Sequence, residues 1–381
     1  MKKTIGILYD VKFNETSFKT GCGGSETWVI QISKEFIRHG YHVIIFSQYG
    51  DWYIYDSGVE YVPMRLYKSR IQYQHFYAFI FVRSLDNYYD TFVKYNDCEN
   101  IYLQSHDMFI WEGGLYKQKF NYKIHTKYNK VKKFIALTDF HKWELMTYNN
   151  IPENKIEVIG NGLDSDIFTK VDNEKIEKDH SILWTSAFGR GGDILVNDIM
   201  PLVIKEIPDF KVHICGYGDG VPQEIKLNPN VKFLGTLSKE EYYREFKKHC
   251  CWFLPCVVVE DFGICAGEAA ICDCDIISPF KHGMKDVCWA FKSLKMKSEF
   301  KVIESSDYHY SKYKLNMSKE EYYNVCQEAA KKIIDSINNY DNSYRKQIRQ
   351  ICKDFIIKEH TWNNVVNKWI NMFELNNKVS I

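Results

Sequence analysis

Twice in this chain a short apolar run ends in a glycine-rich turn and continues through an amphipathic stretch into a second apolar run. The first instance spans 4–9, a turn closing on Gly-Cys-Gly-Gly-Ser-Glu at 21–26, a helical pattern at 27–39, and 41–47. The second spans 181–185, Phe-Gly-Arg-Gly-Gly at 188–192, 193–206, and 211–215. Each is a βαβ unit, which requires a parallel sheet with helices on its faces. Ligands of such sheets bind at the C-terminal ends of the strands. The fold class is therefore α/β, and the polar residues that follow strands are the ones to watch.

At 381 residues the chain exceeds one ordinary core, and about 100 to 200 residues per domain implies two. A net charge of +1 argues against bulk nucleic-acid binding and against an acidic partner. The 12 cysteines do not form paired zinc spacings. Seven of them, Cys250, Cys251, Cys256, Cys265, Cys272, Cys274 and Cys288, crowd one region, where reduced cysteine serves as a small core residue. Met1-Lys-Lys-Thr leads straight into the first strand, and no apolar window reaches the ~18 residues of a membrane helix, so a soluble, cytoplasmic protein is expected.

The remaining pattern orders the elements. Strands are expected at 59–66, 101–107, 133–137 and 155–159, an aromatic helical region at 71–95, and a helix at 139–148. The strand at 101–107 ends in His106-Asp107, which either face a ligand at the strand end or are satisfied by backbone. From 117 to 133 there are seven lysines and no acid, which fits a solvated face or weak peripheral contact with an anionic lipid surface or phosphorylated acceptor. The polar stretch to 179 reads as a linker. Ser238-Lys-Glu-Glu241 opens a helix as a capping box, and from about 318 the chain is largely helical.

Chemistry concentrates at 252–279. Glu260 and Glu268 flank a small, glycine-bearing segment between a strand-like run at 252–254 and a helix-permissive stretch at 268–271. The amides near Phe262, Gly263 and Ile264 then lie at a helix N-terminus, where orphan N–H groups favour an anion such as a phosphate. The two acids would hold different parts of one ligand, with the phosphates between them. Arg190, between glycines after a strand, suits a diphosphate because its guanidinium binds two oxygens. The turn at 21–26 fails the dinucleotide fingerprint, since Glu26 stands where the third glycine is required, and a tight turn and a ligand contact both stay open.

These residues together resemble the retaining GT-B glycosyltransferases of family 4. The match includes Gly23-Gly24, His106-Asp107, Ile135-Ala-Leu-Thr138, Ile159 to Asp164 with Phe168, Arg190-Gly191, Gly216-Tyr-Gly218, Phe233-Leu-Gly235, Glu260 to Glu268 and the late Trp362. The resemblance implies a GT-B fold: two Rossmann-like domains facing a central cleft, with the C-terminal helix crossing back to the N-terminal domain. Domains of 1–168, completed by 361–381, and 169–360 follow, the first on the acceptor side and the second on the donor side. It also implies transfer of a sugar from a UDP- or GDP-linked donor to a hydroxyl of a glycan, lipid-linked or protein-linked acceptor, with retention and with neither metal nor cofactor. Glu268 would hold the donor ribose, Glu260 and the amides of Phe262 to Ile264 the sugar and diphosphate, and Arg190 the leaving charge. Gly216 would line the donor site, Gly23 and Gly24 would let the N-domain loop close, and His106 would touch the transferred sugar.

Where the common pattern carries a second phosphate-binding lysine six residues after the arginine, this chain has only Arg190-Gly191, leaving Lys281 or Lys285 to supply that charge. Two other functions fit the same residues: a GT-B sugar-nucleotide epimerase, and a module that binds a sugar nucleotide without catalysis.

Overall fold

A computed structural model describes residues 2–13, 23–51, 53–108, 124–216, 220–302 and 313–378. The chain forms two units, Met1–Gly162 with His360–Ile381, and Leu163–Glu359.

Among its described residues the first unit has an eight-stranded sheet. Its strands are β1 (Thr4–Leu8), β2 (His42–Ser47), β3 (Ile54–Asp56), β4 (Val59–Pro63), β5 (Ala78–Val82), β6 (Ile101–Gln104), β7 (Val131–Ala136) and β8 (Ile156–Val158). Their order is β3-β4-β2-β1-β5-β6-β7-β8, parallel throughout except for the β3–β4 pair. Both faces are covered, so alternate residues of each strand enter different cores. Ile5, Val43, Ile45, Ala78 and Ile80 face one layer, and Leu8, Ile44, Phe46, Phe79 and Phe81 the other.

The helical region expected at 71–95 is not one element. Helix Tyr67–Tyr73 precedes β5, and helix Asp86–Tyr95 follows it. The reason lies in Ala78-Phe-Ile-Phe-Val82, which is buried at every position. A strand covered on both faces reads as a continuous apolar run, and periodicity alone cannot tell it from a buried helix.

Helix α1 (Gly24–Arg38) packs on one face of this sheet, together with the C-terminal helix Trp362–Lys378. Trp369 meets Trp28 at 5.9 Å between ring centres, and Phe373 meets Phe36 at 5.9 Å and Tyr102 at 5.1 Å. The last helix is thus part of the first unit. Its seat also requires Gly162, because a Cβ there would lie 2.4 Å from the Trp362 ring and 2.8 Å from its backbone. Gly162→Ala should cost about 3 kcal/mol by overpacking, measurable by urea unfolding, and an unchanged midpoint would mean that the helix end yields freely.

The second unit has a five-stranded sheet among the described residues, with β9 (Asp179–Trp184), β10 (Lys211–Cys215), β11 (Val231–Gly235), β12 (His249–Phe253) and β13 (Asp275–Ile277) in the all-parallel order β11-β10-β9-β12-β13. Counted within the unit this is 3-2-1-4-5, the Rossmann order. The expected linker is partly a helix, α2 (Ser165–Asp172), capped by Asp164, which accepts from the Ile167 N–H at 3.3 Å. Phe168 and Val171, three apart, bury one face of it, and Phe168 packs on Tyr243 at 6.2 Å. Two apolar residues at helical spacing thus outweigh the polar composition around them. The 193–206 helix is interrupted by a wider π turn, Leu195–Ile199, just before Pro201, whose missing N–H forbids a regular helical bond. Among the described residues the cysteines are free, and all but Cys265 are buried.

Candidate functional site

In the second unit the strand order reverses between β9 and β12, so the loops leaving their C-terminal ends diverge and open a crevice. Arg190 closes a short 3-10 turn, Phe188–Arg190, after β9, and Glu260 lies in the loop after β12. The structure brings them together: Arg190 Nη2 is 2.6 Å from Glu260 Oε1 and 3.4 Å from the Val259 carbonyl oxygen. Burial lifts the Glu260 carboxyl above its ordinary range, against the pull of Arg190. Gly191 must follow the arginine because its φ is +111° and a Cβ would lie 2.4 Å from Pro255 Cγ. The Glu260 loop is pinned from outside as well, its carbonyl accepting the Gly283 N–H at 2.8 Å.

Beyond this pair comes α3 (Ile264–Ile271). Its N-cap, Gly263, has φ +80° and offers no side-chain cap, so the first-turn amides have no side chain of the cap to satisfy them. Phe262, just before it, is buried. Glu268 sits about one turn inside and is 2 % exposed. Its Oε1 pairs with Lys239 Nζ, while Oε2 has no hydrogen-bond partner among the described residues.

Lys239 is the residue that sequence reasoning missed. It is the first residue of α4 (Lys239–Lys248), whose capping box of Ser238 and Glu241 forms as expected. Its ammonium lies over the rings of Tyr242 and Tyr243 at 4.8 and 5.4 Å. Burial would lower the Lys239 pKa, but Glu268 outweighs it and the net direction is upward. A signal was available: a cation in the first turn opposes the helix dipole and needs an acid elsewhere.

Two other expected donor-side residues are Lys281 and Gly216. Lys281 pairs with Glu299 at 2.7 Å. Gly216 follows β10, with its N–H on the Gly235 carbonyl at 3.1 Å, and a Cβ there would meet nothing within 4 Å. Residues 217–219 lie outside the described residues.

The first unit has its own reversal of strand order, between β1 and β5, and polar groups gather there too. Gly23 is the N-cap of α1 and Gly24 its first residue. The Glu26 carboxylate folds back so that Oε2 lies 2.4 Å from where a Gly23 Cβ would be, and Tyr9 donates to Oε1 at 2.9 Å. Arg83, with φ +67°, forks onto Asp107 at 2.6 and 3.0 Å. Tyr9, Glu26 and Arg83 were not foreseen, because each becomes notable only when the sheet order sets β1 beside β5.

His106 packs its ring edgewise on Trp28 at 5.6 Å, and its Nε2 is buried with no hydrogen-bond partner among the described residues. Burial pushes its pKa down from 6.5 to about 3, with Asp107 raising it and Arg83 lowering it further. The imidazole is therefore neutral at pH 7. The folded group binds its proton only below about 3 and the unfolded one already below 6.5. Its contribution to stability is thus complete above 6.5 and is lost as pH falls toward 3. The NMR signal of the His106 ring should not move between pH 5 and 8, whereas a midpoint near 6.5 would show that the ring is solvated.

Of the basic run at 117–133, residues 117–123 lie outside the described residues, and the Lys132 and Lys133 ammonium groups donate to Asn100 Oδ1 at 2.8 Å and the Asn154 carbonyl at 3.0 Å. Among the described residues no helix is long and apolar enough to cross a membrane.

No protein-family model matches the sequence, and a search of curated proteins finds no match. Solved structures match over the length of the chain. A glycosyltransferase from Rickettsia africae aligns at 15 % identity over 98 % of both chains with a TM-score of 0.68. Sucrose-phosphate synthase from Thermosynechococcus elongatus aligns at 12 % identity over 99 % of this chain and 100 % of its own, also at 0.68. Anabaena HepE in complex with UDP-glucose aligns at 14 % identity over 97 % and 99 %, at 0.61. At such identity the likeness speaks for the fold alone, and that fold is GT-B, the fold of the glycosyltransferases this chain resembles.

Proposed function

We propose that this protein transfers a sugar from a nucleoside-diphosphate donor to a hydroxyl acceptor with retention of anomeric configuration, as the family 4 enzymes that its motifs resemble do. The observation that carries the reading is the Arg190–Glu260 pair at the strand-order reversal of the second unit, beside the uncapped N-terminus of α3 with Glu268 one turn inside. A cation, a helix N-terminus and two carboxylates within one crevice match the parts of a sugar nucleotide: diphosphate, sugar and ribose. HepE was solved with UDP and with UDP-glucose, which supports a uridine diphosphate sugar as the first donor to try.

In the reaction the bond from the anomeric carbon to the phosphate oxygen breaks and a bond to the acceptor oxygen forms on the same face. The acceptor proton goes to the departing phosphate oxygen, so no protein nucleophile is required. Arg190 and the first-turn amides of α3 stabilise the charge developing on the diphosphate. Glu260 orients the sugar, and Glu268 binds the ribose through Oε2. Because protein groups supply the positive charge, transfer should proceed without added Mg²⁺.

A thermal-shift panel of nucleotide sugars tests the first step, since a donor at 100 times its Kd adds about 2.7 kcal/mol. NMR of the donor with enzyme alone then separates the classes: slow hydrolysis at most is expected. A new sugar nucleotide would make the protein an epimerase, and binding without turnover by any acceptor would leave a binding module.

A further inference from the structure

On the same sheet lies a buried group of side chains that the proposed transfer does not use. His213 projects from β10, His249 opens β12, and Glu245 comes from α4, four residues before His249. They are 5 %, 0 % and 5 % exposed. One nitrogen or oxygen from each falls within 4.8 Å of the others: His213 Nδ1 is 2.6 Å from Glu245 Oε1, and His249 Nε2 is 3.6 Å from that same oxygen.

The hydrogen bonds behind His249 determine which of its nitrogens is bare. Ser181 Oγ donates its proton to Asp179 Oδ1, so toward His249 Nδ1, at 2.6 Å, it accepts. Nδ1 therefore carries the ring proton, and Nε2 turns a lone pair toward the Glu245 carboxylate with no hydrogen-bond partner. Two lone pairs facing each other without solvent are unfavourable, so a positive species belongs between them.

We propose that His213 Nδ1, Glu245 Oε1 and His249 Nε2 bind one divalent first-row transition-metal ion, of the zinc type, as a structural cross-link of this unit. Two imidazoles and a carboxylate are a donor set suited to zinc, with a water completing the tetrahedron. Metal bonds of about 2.0–2.2 Å in a tetrahedron set neighbouring donor atoms about 3.3–3.6 Å apart. The 3.6 Å separation already meets this, and the 2.6 Å one must open. The surroundings are those of a metal site: Ser181 and Asp179 orient His249, and Lys248 Nζ holds the far Glu245 oxygen at 2.6 Å. The ion ties α4 to β10 and β12. Because Lys239 at the other end of α4 pairs with Glu268, the same cross-link steadies the donor side. This proposal departs from the expectation that the protein holds no metal.

The test uses the untagged full chain, stripped with chelator and titrated with zinc chloride. About one zinc per chain should survive gel filtration, and saturating zinc should raise the unfolding temperature by about 5 °C. Ser181→Ala, which keeps all three donors, should weaken zinc binding at least about tenfold. His249→Gln should abolish retention. Should that variant fail to fold, cobalt in the wild-type chain provides the reading, since nitrogen and oxygen donors in a tetrahedron give strong visible bands. No retained zinc and an unchanged unfolding temperature would overturn the proposal and leave a proton as the occupant, and absent cobalt bands would do the same.

Discussion

Arg190→Ala should lower sugar transfer by at least two orders of magnitude at saturating donor, while the protein stays folded. The size follows from chemistry: a preorganised cation at a developing diphosphate is worth about 3 kcal/mol or more. The effect on stability is smaller, because the Arg190–Glu260 pair keeps about a fifth of each side chain exposed, at 21 % and 18 %. Arg190→Lys keeps the charge and loses the fork, so it should recover only part of the rate. Glu260→Ala should show a loss of similar size, and the double variant should lose much less than the product of the two, since each group acts through the other. Wild-type turnover by both single variants, measured with the true donor and acceptor, would remove this pair from the mechanism.

The second large effect is expected at Glu268 and Lys239, and there stability and binding separate. Removing either partner strands a charge, with side-chain exposures of only 3 % and 23 %. Glu268→Ala should cost about 3 kcal/mol, or roughly 8 °C for a unit of this size. Lys239→Met should destabilise as well, leaving the Glu268 carboxylate buried without its cation. The pair of changes Lys239→Met and Glu268→Met should restore most of the unfolding temperature, because two apolar groups replace a desolvated ion pair. Donor binding should nevertheless remain lost, since the ribose then has no carboxylate. Isothermal titration with a nucleoside diphosphate decides the matter: a double variant that binds as tightly as wild type would make Glu268 purely structural.

Much of the fold was legible because the two parallel sheets are built from runs whose burial forces their composition. Those at 41–47, 211–215 and 231–235 are apolar and bounded by glycine, and that at 4–9 is apolar and ends at Asp10, so their strand character follows locally. The failures share a cause. Ala78–Val82 and its aromatic neighbours are apolar all round, a pattern that fits a buried strand and a buried helix equally, and only the pairing of β5 with β1 and β6 resolves it. Ser165–Asp172 erred in the other direction, since its polar composition hid the two side chains, Phe168 and Val171, that anchor it.

What the sequence by itself determined was the local layout of the candidate site: glycines where backbone must turn, Arg190 after one strand, and Glu260 and Glu268 around a helix start. These are local properties, decided by backbone dihedrals, helix termini and residue chemistry over a few positions. The partners were decided only in three dimensions. Arg190 meets Glu260 because strand order reverses between β9 and β12, and Lys239 meets Glu268 because α4 lays its first turn against α3. His213, Glu245 and His249 converge from three elements for the same reason. Charge pairing acts over a few ångströms, and which charges come that close is set by the order of strands in a sheet, which no single stretch of the chain contains.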